Sequence, residues 1–256
     1  MKTMTPFDTL ESLWTVLEKL NRVTGKPVVK NGYFQACENQ SQPGWFDRLM
    51  LKKLPEEEPQ RTQVLQQAID LAKTPGHGKL FTYIEEDLGP DVEDALLKQG
   101  FQLLSVHAGM VYEPSEKDLE FEDPRIRLIG PEELATWCEV RTRGFQKPTP
   151  MAVHEKMIQL EGNRYYALEE EGEMISVGML CIDDARLNPG LQSIATPPEY
   201  RGKHLASAIV RRIMKEAAQE KIPMLSLQAS ALGEPVYAKL GFERIGTIKS
   251  FLYKEE

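Results

Sequence analysis

Apolar positions recur at helical spacing in three long stretches of the chain. Leu10, Leu13, Trp14, Leu17 and Leu20 follow Thr5, a residue suited to an N-cap, and Pro6, which suits a first helical position; they predict a helix over Pro6–Leu20. Val64, Leu65, Ala68, Ile69 and Ala72 line one face of a helix over Gln60–Lys73, stopped by Pro75-Gly76. Leu205, Ile209, Ile213 and Ala217 recur every four residues, which predicts a helix over Leu205–Gln219. Shorter helices are expected over 91–98, 131–145, 151–160 and 234–240. Strands are expected over 46–51, 80–84, 102–112, 125–129, 165–168, 174–182, 191–196, 224–227 and 244–254. From residue 125 onward the order β-α-α-β-β-β-α-β-α-β predicts a mixed α/β sheet.

Between these patterned regions, Glu113–Pro124 is polar, acidic and holds two prolines. It marks a boundary, with one domain over 1–114, a linker over 115–124 and a second domain over 125–256. The two regions share an echo. Lys98-Gln99-Gly100-Phe101 recurs as Lys239-Leu240-Gly241-Phe242, and Tyr112 and Tyr253 each lie eleven residues past their phenylalanine. Each Gly-Phe follows helix, strand and short helix, and each opens a long strand. The first domain therefore reads as a partial copy of the second.

Composition narrows the chemistry. The 256-residue chain carries a formal net charge of -8, which opposes broad binding to nucleic-acid phosphates and tilts the expected substrate toward a small cation. Cys37, Cys138 and Cys181 are far apart and form neither a CxxC pair nor a metal-ligand cluster, so no metal is expected. The polar start MKTMTPFDTLESLW is unlike a signal peptide, and no apolar run is long enough to span a bilayer. The expectation is a soluble cytoplasmic protein that engages neither membrane nor nucleic acid.

The most informative stretch is Ser193-Ile194-Ala195-Thr196-Pro197-Pro198-Glu199-Tyr200-Arg201-Gly202-Lys203-His204-Leu205-Ala206, a strand, a turn and a helix start. The free N–H groups of a helix N-terminus and its dipole favour an anion. A turn of successive N–H groups makes a concave nest, Arg201 and Lys203 add positive charge, and Gly202 and Ala206 keep the approach open. This stretch resembles the acyl-CoA pyrophosphate site of the GNAT superfamily of N-acetyltransferases, whose pattern is Arg/Gln-x-x-Gly-x-Gly/Ala. Arg201 and Ala206 match its ends, and His204 stands where the family has its middle glycine, a departure that an ordinary backbone angle would tolerate.

The resemblance extends to Ser226–Phe242, a strand, a short helix bearing tyrosine, then Leu-Gly-Phe. It implies the acyl-CoA N-acyltransferase fold, an α/β fold with a mixed, mostly antiparallel sheet flanked by helices, with acetyl-CoA as cosubstrate and a primary amine as acceptor. Binding would fall to Ile194, Ala195, Thr196, Arg201, Gly202, Lys203, His204, Leu205, Ala206 and Ser230, the last standing where the family has an amide. Tyr237 would be the acid that protonates the departing thiolate, and the backbone of Ile194–Thr196 would polarise the thioester carbonyl. Asp183, Asp184 and Glu199 are the candidates for general base, and none is singled out. His154, Trp137, Phe145 and Met151 lie on or near the helices that shape the acceptor cleft in this family. His154 is expected at the surface, and the other three are expected in the core. In the first domain Leu96 stands at the position of Tyr237, and Leu54-Pro55-Glu56-Glu57-Glu58-Pro59 stands where a phosphate cradle would be; three carboxylates there repel pyrophosphate. The amine would belong to a small molecule or a protein, and a homodimer is open. A non-catalytic acyl-CoA-binding or interaction module is the alternative.

Overall fold

The computed structural model describes residues 6–24, 28–37, 47–74, 80–182 and 189–254. The chain divides into two compact units. The first comprises 1–110 with 228–234 and 244–256, and the second comprises 111–227 with 235–243.

The first unit begins with α1 (Pro6–Thr24), whose Leu10, Leu13, Trp14, Leu17 and Leu20 are buried as their spacing requires. A hairpin follows, β1 (Val28–Lys30) and β2 (Phe34–Cys37), with Val28 opposite Cys37. Its turn is built by Asn31, whose Oδ1 accepts the amides of Tyr33 and Phe34 at 2.8 Å each. Next come β3 (Arg48–Leu51), α2 (Gln60–Lys73), β4 (Leu80–Ile84), the single turn α3 (Glu85–Leu88), α4 (Pro90–Lys98) and β5 (Phe101–Tyr112). The sheet order is β1-β2-β3-β4-β11-β5, where β11 (Glu243–Tyr253) is the chain's last strand. β3 and β4 run parallel through three register pairs, Arg48–Leu80, Leu49–Phe81 and Met50–Thr82, and β11 joins β4 antiparallel. Phe34, Leu49, Leu65, Ile69, Phe81, Tyr83, Leu96, Phe101 and Phe251 share one buried core.

The second unit contains β6 (Ile126–Leu128), α5 (Leu134–Phe145), α6 (Met151–Met157), β7 (Asn163–Glu170), β8 (Glu173–Cys181), β9 (Gly190–Ala195), α7 (Leu205–Gln219), β10 (Leu225–Ala229, whose last two residues fall in the first unit) and α8 (Glu234–Lys239, whose first does). Its strands lie in the order β10-β9-β8-β7-β6, antiparallel except for β9 and β10. α7 buries Leu205, Ile209, Val210, Ile213, Met214 and Ala217, the predicted stripe and its flanks. The mixed, mostly antiparallel α/β architecture agrees with the expectation from the sequence.

Several details differ from that expectation. The hairpin β1–β2 was not anticipated. Residues 131–133 form a 3-10 turn and α5 starts only at Leu134, because Arg127 on β6 holds the Glu133 carboxylate before the helix begins. Within the expected linker, Glu116–Glu120 is a capped 3-10 turn whose Asp118 accepts the Tyr112 hydroxyl at 2.9 Å.

The echo in sequence becomes reciprocal packing. Gly100 (φ +85°) and Gly241 (φ +94°) both take the left-handed conformation that glycine favours. A Cβ on Gly100 would lie 3.5 Å from the ring of Tyr253, and one on Gly241 would lie 3.3 Å from the ring of Tyr112. The rings of Phe101 and Tyr253 lie 5.3 Å apart, and those of Phe242 and Tyr112 lie 5.1 Å apart. Each Gly-Phe is thus covered by the tyrosine that ends the other echo's strand.

Candidate active site

The site is assembled at the open edge of β9. β9 and β10 run parallel but meet at one register pair, Ser226–Gly190, so β9 carries main-chain groups beyond it that this pairing does not use. On its other side β9 bulges. Ser193 and Ile194 together oppose Gly178 of β8, and Ser193 takes φ +56°. No larger residue fits at Gly178, where a Cβ would lie 2.7 Å from Ile194 Cδ1 and 2.8 Å from Ile209 Cγ2. The strand's end is fixed by Ser176, whose Oγ donates to the Ala195 carbonyl at 3.2 Å and lies 2.8 Å from Thr196 Oγ1.

α5 presses on this strand end. A Cβ on Gly144 would lie 2.9 Å from Ala195 Cβ and 3.1 Å from the Thr196 nitrogen. Arg201 ties the two together, donating from Nε to the Thr196 carbonyl at 3.1 Å and from Nη2 to the Gly144 carbonyl at 2.8 Å. Its guanidinium is therefore a clamp as well as a source of charge.

The turn from Arg201 to His204 is exposed, and α7 opens behind it with no side-chain cap and no acid in its first turn. Its dipole and amides are left for an outside anion. Lys203 adds a cation that leans over the Tyr200 ring at 5.8 Å. Gly202 has φ +80° and nothing within 4 Å of a would-be Cβ. His204 has φ +59° and ψ 19°, a left-handed angle, so the angle assumed in the sequence reading was not the one the fold uses. A glycine would take this angle freely, and the imidazole holds it at a cost of about 1 kcal/mol. Leu205 is buried as the first anchor of α7, and Ala206 is half-buried.

Tyr237, on α8 in the same unit, packs edge-on to Phe242 at 5.7 Å, and its hydroxyl has no hydrogen-bond partner among the described residues. Burial raises its pKa, which keeps the phenol protonated at neutral pH. Ser230 belongs to the first unit and accepts the Gly233 amide on its Oγ at 3.2 Å, the role of a turn cap.

Among the base candidates, Asp183 and Asp184 lie outside the described residues. Glu199 is exposed and paired with Arg143; its own backbone and that guanidinium hold its carboxyl below the usual range, which makes it a weak base. His154, expected at the surface, is 1% exposed. Its Nδ1 lies 2.9 Å from the Tyr165 hydroxyl and its ring packs on Trp137. Burial, then the nearby Arg141 charge, pushes its pKa down to about 3, so it stays neutral. Trp137 is in the core as expected, donating Nε1–H to the Tyr166 carbonyl at 3.1 Å. Phe145 and Met151 are instead 43% and 41% exposed, an apolar lip at the α5–α6 connection.

Residues that sequence reasoning missed are Gly144, Ser176, Gly178 and Arg141, which belong to no motif because each acts through a tertiary contact; Ser193 opens the stretch quoted above but was given no role there. Among the described residues no group of His, Cys, Asp and Glu is placed to hold a metal, and no helix is long and apolar enough to cross a membrane.

Residues 132–251 match the family model described as the acetyltransferase (GNAT) domain. No curated relative matches the chain. Solved structures share its fold. A GCN5-related N-acetyltransferase from Kribbella flavida superposes with a TM-score of 0.66 at 13% identity, over 99% of this chain and 98% of that one. A conserved protein of unknown function from Staphylococcus epidermidis gives 0.65 at 13%, over 89% and 93%. A GCN5-related N-acetyltransferase from Sphaerobacter thermophilus gives 0.60 at 10%, over 91% and 84%.

Proposed function

We propose that the protein transfers an acetyl group from acetyl-CoA to a primary amine. The observation that carries this reading is the pairing of an open parallel strand edge with a helix N-terminus that has neither cap nor acid. An extended amide-bearing arm suits the first, and a pyrophosphate suits the second. Lys203 and the amides from Gly202 to Ala206 hold the phosphates. The main chain of Ile194–Thr196 takes the arm and, at the bulge, donates toward the thioester oxygen as negative charge develops there. The neutral amine attacks the thioester carbon and gives up one N–H proton to water, the C–S bond breaks as the amide forms, and the Tyr237 hydroxyl gives its proton to the leaving thiolate and regains one from solvent. A phenol held protonated by burial suits that step.

In the same reading the first unit is a partial copy without a cosubstrate site. Its support is the matching order of parallel strand pair, intervening helix, short helix and long strand, with the glycine and tyrosine contacts repeated in both units.

Calorimetric titration of acetyl-CoA into the wild type tests the proposal, followed by coenzyme thiol release over a panel of amines. Micromolar binding with amine-dependent release is expected. Absence of binding overturns the proposal.

A further inference from the structure

Arg141 lies on α5, one turn before the glycine that presses on β9. Its Nε donates to Ser193 Oγ at 3.0 Å, at the β9 bulge, and its Nη1 donates to Thr149 Oγ1 at 3.0 Å. The guanidinium carbon lies 4.9 Å from the centre of the Phe145 ring. Both acceptors are neutral hydroxyls. Among the described residues no carboxylate pairs with this cation, and its Nη2 donors meet no acceptor.

Five other arginines of the second unit are arranged differently: Arg125, Arg127, Arg143, Arg164 and Arg212 each pair with a carboxylate. Arg201 does not, but its guanidinium is taken up by the two carbonyls it clamps. Arg141 is half-buried, and a guanidinium partly withdrawn from water without a counter-charge carries a desolvation cost, which lowers its pKa. Bracing the loop after α5 does not explain it. Thr149 is already fastened to Thr142, with its amide donating to Thr142 Oγ1 at 3.1 Å and the two hydroxyls 2.8 Å apart.

We propose that Arg141 binds a carboxylate on the acceptor, so that the acceptor class is a carboxylate-bearing primary amine of the amino-acid kind. This inference rests on the acetyltransferase reading. Ser193 immediately precedes Ile194, whose main chain that reading places at the thioester. The planar fork left free on Arg141 matches a carboxylate's two oxygens. The exposed faces of Phe145 and Met151 then offer apolar surface to the acceptor's side chain. The net charge of -8 favours cations only at long range, where salt screens it; at contact the guanidinium decides.

The experiment compares L-amino acids with their α-amides, which keep amine and side chain and remove the negative charge. Acetyl transfer is measured for wild type, Arg141→Gln and Arg141→Lys, with acetyl-CoA affinity and melting temperature recorded for each. The wild type is expected to favour the carboxylates by about tenfold to a hundredfold in kcat/KM. Arg141→Gln, which can still hydrogen-bond Ser193, brings the ratio near one with acetyl-CoA affinity unchanged, and Arg141→Lys keeps part of the preference. A purely bracing role would lower the melting temperature and leave the ratio alone. A wild type that binds acetyl-CoA and acetylates both series equally overturns this inference by itself. A wild type that binds no acetyl-CoA removes the enzyme reading, and this inference with it.

Discussion

The helix after the parallel strand pair begins differently in the two units. In the second unit α7 opens with no cap, no acid and Lys203 beside it. In the first unit α2 opens behind Glu56-Glu57-Glu58, and Glu58 Oε2 accepts the Thr62 amide at 3.2 Å. The cation at that end, Arg61, is held by Asp91 at 2.8 Å and by the Leu88 carbonyl at 2.8 Å. The strands before the two helices differ in the same sense. β9 and β10 touch at one pair, whereas β3 and β4 are zipped through three, and Arg48 there donates to Thr82 Oγ1 at 2.9 Å. In the proposed reading, one arrangement of strand pair and helix presents an anion site in the second unit and closes it in the first. What decides is whether its own carboxylates and ladder bonds occupy the helix amides and the strand edge.

Tyr237 and its counterpart Leu96 give the largest test of that contrast. Tyr237→Phe should lower kcat by about a hundredfold or more while leaving acetyl-CoA affinity within twofold (about the error of calorimetry). Because burial raises the phenol's pKa, wild-type turnover should climb with pH as the amine loses its proton. No fall should appear below the ordinary tyrosine range near about 10. A descending limb near neutrality would assign the acid elsewhere.

Next in size, Lys203→Glu makes the start of α7 resemble that of α2. Acetyl-CoA affinity should fall about tenfold at low salt, and the gap to wild type should narrow as ionic strength rises. An unchanged affinity would detach the phosphates from this turn. Smaller again, His204→Gly relieves the left-handed backbone. Urea unfolding should show a gain of about 0.5–1 kcal/mol, the strain relieved less the entropy of an added glycine. The smallest effect is expected from Glu58→Gln, which weakens the carboxylate held at α2. Stability should fall by about 0.5 kcal/mol, and no second acetyl-CoA site should appear in titration, because the strand edge there is still zipped.

Much of this was legible in the sequence, for a physical reason that can be named residue by residue. The stripe Leu205, Ile209, Ile213 and Ala217 is periodic, and α7 has the predicted bounds. α2 and β4 likewise have theirs. The hairpin β1–β2 was missed although Asn31-Gly32 between apolar runs is a strong turn signal, and Asn31 does build that turn. The turn proposed to hold the phosphates was readable because it is local, a chain segment whose chemistry lies in consecutive residues. Arg141 was not readable. A lone arginine on a short helix has the sequence signature of a solvated one, and only the fold places Ser193 and Thr149 around it. The angle at His204 was hidden for a related reason, since a side chain's identity does not report the φ that the fold imposes on it.

The reciprocal tyrosines have a consequence for how this protein is made. The first unit includes the last strand, β11, and the ring of Tyr253 that covers Gly100. When the ribosome has finished the first hundred residues, that unit is still incomplete: β4 has no antiparallel neighbour in β11 until the C-terminus emerges. A cut within 115–124 would likewise yield two fragments, one without Tyr253 and the other without Tyr112. Gene splitting at the apparent boundary therefore separates each glycine from its cover, and leaves residues 1–114 without the strand that completes their unit.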